Sequence, residues 1–330
     1  MASVYICLMK TRILLTIGDF NGIGPEIILK VISNPRFTKL YDLTVLSPLK
    51  ILEYYAKKLN IKLFPGNFNI IPVGDEKIKI QPGKISDQAG FISGLAVIKA
   101  IVMCMSGDYD AIVTAPISKE ALNIGGFNYD GHTGMLKDFG RADDVCMMMV
   151  SDKLTVALAT THPPLRDVSK MLTGKLLQSR LNICYRSLKN DYEISSPIVG
   201  VLGLNPHSGD RGVIGNEEIK IITPALKIMN KSKGYPAFNG PYAADAYFAS
   251  SSYKKFDMTF AMYHDQGLIP FKMIAGMNGV NFTAGLSFVR TSPGHGTAFD
   301  IAGKNIANEK SMAEAIKLAD KIIKNRLKKF

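Results

Sequence analysis

The feature that most constrains this chain is an alternation. A short apolar run is followed by a turn rich in Gly, Pro or Asn, and then by apolar residues at helical spacing. Residues 12–16 read as a strand and 25–33 as a helix, with Pro25 suited to a first helical turn. Residues 42–46 and 48–59 repeat the unit, and a long helix over 88–105 precedes a strand at 110–114. Residues 145–150 and 155–160 read as a hairpin around Ser151-Asp152-Lys153, followed by a helix over 169–188. A strand at 198–204, a helix at 217–229, a strand at 258–262 and an extended stretch at 280–288 complete the pattern. Parallel strands need long crossovers, and amphipathic helices supply them, so the class is α/β with mostly parallel sheets. The 330 residues suit two domains, and no Pro-rich linker separates them.

The formal charge is +12, from 40 Lys and Arg against 28 Asp and Glu. Such an excess raises the question of a nucleic-acid partner. The one dense basic cluster lies in residues 310–330, where Ala313, Ile316, Ala319, Ile323 and Leu327 recur at helical spacing between the cations. That is the pattern of an amphipathic terminal helix with a solvated basic face. Elsewhere the lysines are scattered, which suits a small anionic substrate or cofactor better than a polyanion. Neither a nucleic acid nor a membrane is expected as a partner. No apolar run reads as a membrane span, and residues 1–10 lack the pattern of a signal peptide, so the cytoplasm is expected. The four cysteines, Cys7, Cys104, Cys146 and Cys184, have no CxxC spacing and read as thiols rather than a disulfide or zinc framework.

Three of the five histidines share one structural role. His162 follows the run Thr155 to Thr161, His207 follows Ile198 to Pro206, and His264 follows Met258 to Tyr263. Each lies just past the C-terminal end of an apolar strand, the edge where open parallel sheets bind ligands. Any one alone is a turn histidine with a local hydrogen bond. Three imidazoles converging there would hold a divalent metal and leave positions open for a substrate. Asp265, next to His264, could orient a histidine or move a proton.

Other segments point to anions. Gly131-His132-Thr133-Gly134 precedes a helix over 135–139, and is either a phosphate-binding turn or a plain cap by Thr133. Lys272, Asn281 and Arg290 lie on what read as the last extended segments, where cations suit a phosphate or carboxylate. Gly18 to Glu26 has glycines but not the G-x-G-x-x-G spacing. It reads as a tight strand-to-helix turn rather than a dinucleotide fingerprint.

Seven motifs occur in order: Gly22-Ile-Gly-Pro-Glu26, Thr114-Ala-Pro-Ile-Ser-Lys119, Gly131-His-Thr133, Ala159-Thr-Thr-His162, Leu204-Asn-Pro-His-Ser-Gly209, Met262-Tyr-His-Asp-Gln-Gly267, and Arg290-Thr-Ser through His295-Gly-Thr297. Together they resemble the 4-hydroxythreonine-4-phosphate dehydrogenase family of pyridoxal phosphate biosynthesis, from about Thr11 to the last helix. Phe20 stands where that family usually has Pro, and Gly134 where it has Glu. Met9-Lys-Thr-Arg resembles the family's usual start, so residues 1–8 are expected to be either an extension or the product of a misassigned start codon.

The resemblance implies NAD- or NADP-dependent oxidation of 4-phosphooxy-L-threonine, then decarboxylation to 3-amino-2-oxopropyl phosphate, in pyridoxine 5'-phosphate biosynthesis. It implies one divalent metal per site (zinc, magnesium or cobalt) on His162, His207 and His264. It assigns substrate binding to His132, Thr133, Lys272, Asn281 and Arg290, and cofactor binding to His295, Gly296, Thr297 and Asp300. Asp245 and Asp265 are the catalytic candidates. The implied fold is that of the isocitrate and isopropylmalate dehydrogenases, two α/β domains with an active-site cleft between them. The expected domains are 1–125 plus 296–330, and 126–295 carrying the metal histidines and the dimer interface. The implied assembly is a homodimer with the site at the subunit interface. Rival readings are a dehydrogenase of threonate or erythronate 4-phosphate, an acyltransferase of the phosphate acetyltransferase kind, and a basic nucleic-acid binder.

Overall fold

The structure is a computed structural model that describes residues 10–63, 66–75 and 77–328. Residues 1–8, Cys7 among them, lie outside the described residues. The chain divides into two compact units: Met1–Asp143 with Leu286–Lys324 is unit 1, and Asp144–Gly285 with Asn325–Phe330 is unit 2.

Along the chain, unit 1 opens with β1 (Arg12–Thr16), α1 (Gly24–Ile32), α2 (Pro35–Leu40), β2 (Asp42–Leu46), α3 (Leu49–Leu59) and β3 (Asn69–Ile71). It continues with α4 (Asp87–Met105), β4 (Ala111–Thr114), α5 (Lys119–Ile124) and α6 (His132–Phe139). Unit 2 holds β5 (Cys146–Val150), β6 (Thr155–Leu158), α7 (Leu165–Met171), α8 (Gly174–Asn190) and β7 (Val199–Leu202). It then has α9 (Thr223–Lys233), β8 (Phe238–Tyr242), α10 (Ala244–Ala249), β9 (Met258–Ala261), α11 (His264–Ala275) and β10 (Val280–Ala284). The chain ends with β11 (Val289–Pro293) and α12 (Lys310–Leu327).

In unit 1 the strands run β3-β2-β1-β4-β11, all parallel. Ile13, Leu14 and Leu15 of β1 and Ile112 and Val113 of β4 are fully buried, as a parallel sheet covered by helices requires. α1 starts with Pro25 near its N-terminus, as its sequence suggests. α4 is long and apolar enough to cross a membrane by length and composition, which corrects the expectation that no run would be. It is a core helix instead. Ser86 caps it by accepting from Ala89 N–H, and it packs on α5, α6, β1 and β4. A Cβ on Gly90 would lie 1.6 Å from the Ala121 carbonyl, so only glycine lets α4 and α5 approach this closely.

In unit 2 the order is β10-β5-β6-β9-β7-β8. The β5–β6 hairpin and the β10–β5 pair are antiparallel, and β6, β9, β7 and β8 are mutually parallel. Met147, Met149, Val156, Leu158, Leu202, Ala261, Leu268 and Phe271 share one buried core there. Cys104, Cys146 and Cys184 are buried free thiols, and the Cys146 and Cys184 sulfurs lie 3.4 Å apart.

The unit boundaries fall at 143/144, 285/286 and 324/325, where the sequence suggests 125/126 and 295/296 with the C-terminal stretch through 330 in the first domain. The physical reason is packing. α5 and α6 both lie on α4, and β11 pairs with β4, so residues 126–143 and 286–295 belong with the first unit. His132, Thr133 and Arg290 therefore sit in unit 1, and the three strand-end histidines in unit 2. The terminal helix is amphipathic as expected, with Met312, Ala313, Ile316 and Ala319 buried, though Leu327 is exposed. Much of its basic face is paired. Lys317 meets Glu314, Lys324 meets Asp320, Arg326 meets Asp191 and Lys328 meets Glu193.

Candidate active site

The three histidines follow β6, β9 and β7, which are neighbours in the sheet and all parallel. Val156 pairs with Thr259, and Val199 with Met258, so the strands end nearly level and their loops emerge from one edge. The His162 and His264 rings lie 5.7 Å apart, centroid to centroid. His264 Nδ1 lies 2.7 Å from Asp265 Oδ1. A carboxylate has no proton to give, so Nδ1–H donates and the Nε2 lone pair remains for a ligand. His207 sits in a 3-10 segment, Pro206–Gly212, in which residues 207–211 all have positive φ. Among the described residues no group of three or more His, Cys, Asp or Glu closes into a metal-ligating cluster. The donor types and strand-end placement suit a divalent ion, with two rings already close and the third on the adjacent loop.

Asp245, in the first turn of α10, and Asp265 line one shallow cavity of about 310 Å³ with Phe248, Tyr263, Ile269 and Met273. Lys272 is not on an extended segment. It lies on α11, which continues through Pro270, and it is exposed. Asn281 is on β10, and its Oδ1 is buried with no hydrogen-bond partner.

In unit 1, α6 begins at His132, three residues before the helix read from sequence. Its cap position is Gly131, with φ 128 and no side-chain cap, so Thr133 lies inside the helix and caps nothing. His132 Nε2 is buried with no hydrogen-bond partner. Burial, and then the nearby Arg290 charge, hold this imidazole well below its ordinary pKa, so it is neutral. Arg290 is 2% exposed, and desolvation lowers it to about 9. Its Nε and Nη2 both donate to Thr114 Oγ1, at 3.2 and 2.6 Å. Arg290 is thus buried beside a neutral imidazole whose Nε2 meets no partner.

The loop after β11 carries the expected cofactor residues. His295 Nδ1 lies 3.1 Å from the Gly296 carbonyl, and its Nε2 is buried without a partner, which lowers its pKa. Gly296 faces open space, and Asp300 is exposed in a 3-10 turn. The turn after β1 docks on this loop. Ile23 N–H donates to the Thr297 carbonyl at 2.9 Å, and a Cβ on Gly22 would meet that carbonyl oxygen at 2.8 Å. The Gly22-Ile-Gly-Pro-Glu motif thus shapes a loop-to-loop contact.

Two groups here carry roles that the motifs alone do not reveal. Thr114 opens one motif and holds Arg290. Asp19 is fully buried, with Oδ1 accepting from Asn21 N–H at 2.9 Å and Oδ2 unpartnered.

Residues 28–319 match the family model described as "Pyridoxal phosphate biosynthetic protein PdxA". The chain belongs to the PdxA family. Among relatives of this family, a 4-hydroxythreonine-4-phosphate dehydrogenase of Bacteroides thetaiotaomicron is 41% identical, covering 96% of this chain and 90% of its own. A D-threonate 4-phosphate dehydrogenase of Salmonella typhimurium is 39% identical, covering 94% of this chain and 99% of its own. The crystal structure of a 4-hydroxythreonine-4-phosphate dehydrogenase from Klebsiella pneumoniae superposes with a TM-score of 0.83 at 34% identity, over 95% of this chain and all of that one.

Proposed function

We propose that this chain is a nicotinamide-dependent dehydrogenase of pyridoxine 5'-phosphate biosynthesis. It oxidises 4-phosphooxy-L-threonine at its secondary alcohol, and the β-keto acid loses CO2 to give 3-amino-2-oxopropyl phosphate. The observation that carries this reading is the placement of His162, His264 and His207 at the ends of three adjacent parallel strands, in a chain of this family. A divalent ion (zinc, magnesium or cobalt) held by these imidazoles would supply Lewis acidity that lowers the alcohol pKa.

The protein's own groups do the rest. Asp265 fixes the tautomer of His264, and Asp245, in the same cavity, is suited to the substrate amine. Arg290, His132, Thr133, Lys272 and Asn281 are proposed to bind the phosphate and carboxylate. Neutral His132 donates or accepts one hydrogen bond without adding charge. His295, Gly296, Thr297 and Asp300 are proposed to contact NAD or NADP, where open space at Gly296 lets a ligand approach the backbone. We further propose a cytoplasmic homodimer. On unit 2, Ile269, Met273 and Met277 are 58, 82 and 54% exposed, more apolar surface than one helix and its following turn usually show to water.

D-Threonate 4-phosphate is the second reading, since relatives so named are nearly as similar as those named for the amino acid. The experiment is NADH and NADPH formation from each substrate, with and without a chelator. The proposal expects turnover of 4-phosphooxy-threonine that chelation abolishes. Faster turnover of threonate 4-phosphate would transfer the assignment to the second reading, and no hydride transfer from either would reject both.

A further inference from the structure

Open strand ends leave backbone groups without partners, and the three histidine loops meet that demand with a continuous set of hydrogen bonds. The Met262 carbonyl, two residues before His264, accepts from Thr160 N–H at 3.2 Å and from Thr160 Oγ1–H at 2.8 Å. Thr160 is two residues before His162. Met262 N–H donates to Gln266 Oε1 at 2.7 Å. The other end of the same amide donates from Nε2 to the Gly203 carbonyl at 2.6 Å, in the loop that leads to His207. One primary amide thus binds a donor after β9 and an acceptor after β7, and fixes the distance between them.

The His207 loop is held from inside as well. Glu218 is buried, and its Oε1 accepts from the N–H groups of Leu204 and Asn205, both at 2.8 Å. Its Oε2 accepts from Asn205 Nδ2 at 2.9 Å. The loop wraps this carboxylate so closely that a Cβ on Gly209 would come within 2.6 Å of Oε2. A loop whose residues 207–211 all sit at positive φ does not hold that shape by local preference, so the bonds to Glu218 and Gln266 set where His207 is presented.

We propose that Gln266 is the positioning residue that sets the His207 loop against the His264 loop, with Glu218 fixing the interior of the His207 loop. The proposal rests on the metal reading given under Proposed function, and its consequence is that metal affinity depends on a glutamine that is not itself a ligand. The test uses the full chain as wild type, Gln266→Glu and Gln266→Met. Glutamate keeps an acceptor for Met262 N–H but opposes the Gly203 carbonyl, and methionine keeps the shape without either bond. Cobalt(II) titration followed by its visible spectrum is read beside thermal melting and amide hydrogen exchange over residues 203–208.

The expected result is at least tenfold weaker cobalt binding in both variants with an altered spectrum, folded protein by melting, and faster exchange in that loop. Wild-type affinity and spectrum in both variants would overturn the proposal. Should the wild type bind no cobalt, the metal reading falls and exchange alone decides. Unchanged exchange over 203–208 in Gln266→Met then overturns the positioning role, and accelerated exchange upholds it.

Discussion

Asp19→Asn should make the protein more stable, and more so as pH rises. The carboxyl is fully buried, accepts one hydrogen bond from Asn21 N–H, and leaves Oδ2 without a partner. Burial raises its pKa from 3.8 to about 6, against the lowering effect of the Asn21 and Gly22 amides. A carboxyl raised in the folded state binds more protons there than in the unfolded chain between these two values. Stability is therefore lost as pH climbs through that window, and the loss is complete above about 6. At about 1.4 kcal/mol per pH unit the full cost is roughly 3 kcal/mol at pH 7.5, and about 1 kcal/mol of it is present at pH 4.5. Asparagine has the shape of the neutral acid, keeps the acceptor for Asn21 and removes the charge. Urea unfolding of both proteins at the two pH values checks this. The variant should gain about 3 kcal/mol at pH 7.5 and about 1 kcal/mol at pH 4.5. In a unit of this size the larger gain corresponds to roughly 6–12 °C in melting temperature. Equal stabilisation at both pH values, or none at pH 7.5, would refute the reasoning. A costly buried acid beside a loop that docks on Thr297 is the kind of local cost that function maintains, so the stabler variant should also turn over more slowly.

Three further outcomes are expected. His207→Ala should lose cobalt binding and turnover while keeping its far-UV circular dichroism, and full activity after metal stripping would contradict the metal scheme. Arg290→Lys removes a guanidinium that meets one hydroxyl with two donors, so the KM for the phosphorylated substrate should rise about 10- to 100-fold, with kcat less affected, in steady-state kinetics. Glu26→Ala should cost about 3 kcal/mol in denaturant unfolding. The fully buried Glu26 Oε1 accepts from Lys30 Nζ at 2.9 Å and Ala307 N–H at 2.8 Å; its loss strands the Ala307 N–H and leaves the Lys30 charge with the Ala307 carbonyl at 2.7 Å but no carboxylate.

Much of the fold was legible because strand and helix periodicities are local properties. The β5–β6 hairpin and the helices α1, α3 and α4 lie close to where their residues place them, while the short α2 is not read from sequence. β3 has only three residues, and β8, Phe-Asn-Gly-Pro-Tyr, is written in turn residues, so neither shows a strand pattern. Pro270 misplaced Lys272. A proline normally ends a helix, yet α11 carries it and continues to Ala275. The domain boundaries were not legible because α6 and β11 join unit 1 through packing on α4 and pairing with β4, which no local pattern announces.

The candidate site divides along the same line. That each histidine follows a strand is readable, because a strand end is a local event. That the three strands are neighbours is not, since the order β6-β9-β7 does not follow the chain. Two of the groups that sequence missed are polar residues with distant partners. Thr114 meets Arg290 across 176 residues, and Gln266 meets Gly203 across 63. Acidic residues are usually exposed, so nothing local marks Glu218 and Asp19, and only the fold shows both buried. Gln266 is the instructive case. It stands in a motif beside two chemically eloquent neighbours, His264 and Asp265, and an amide invites no catalytic role from sequence. Its function becomes visible only when both ends of that amide have found their strands.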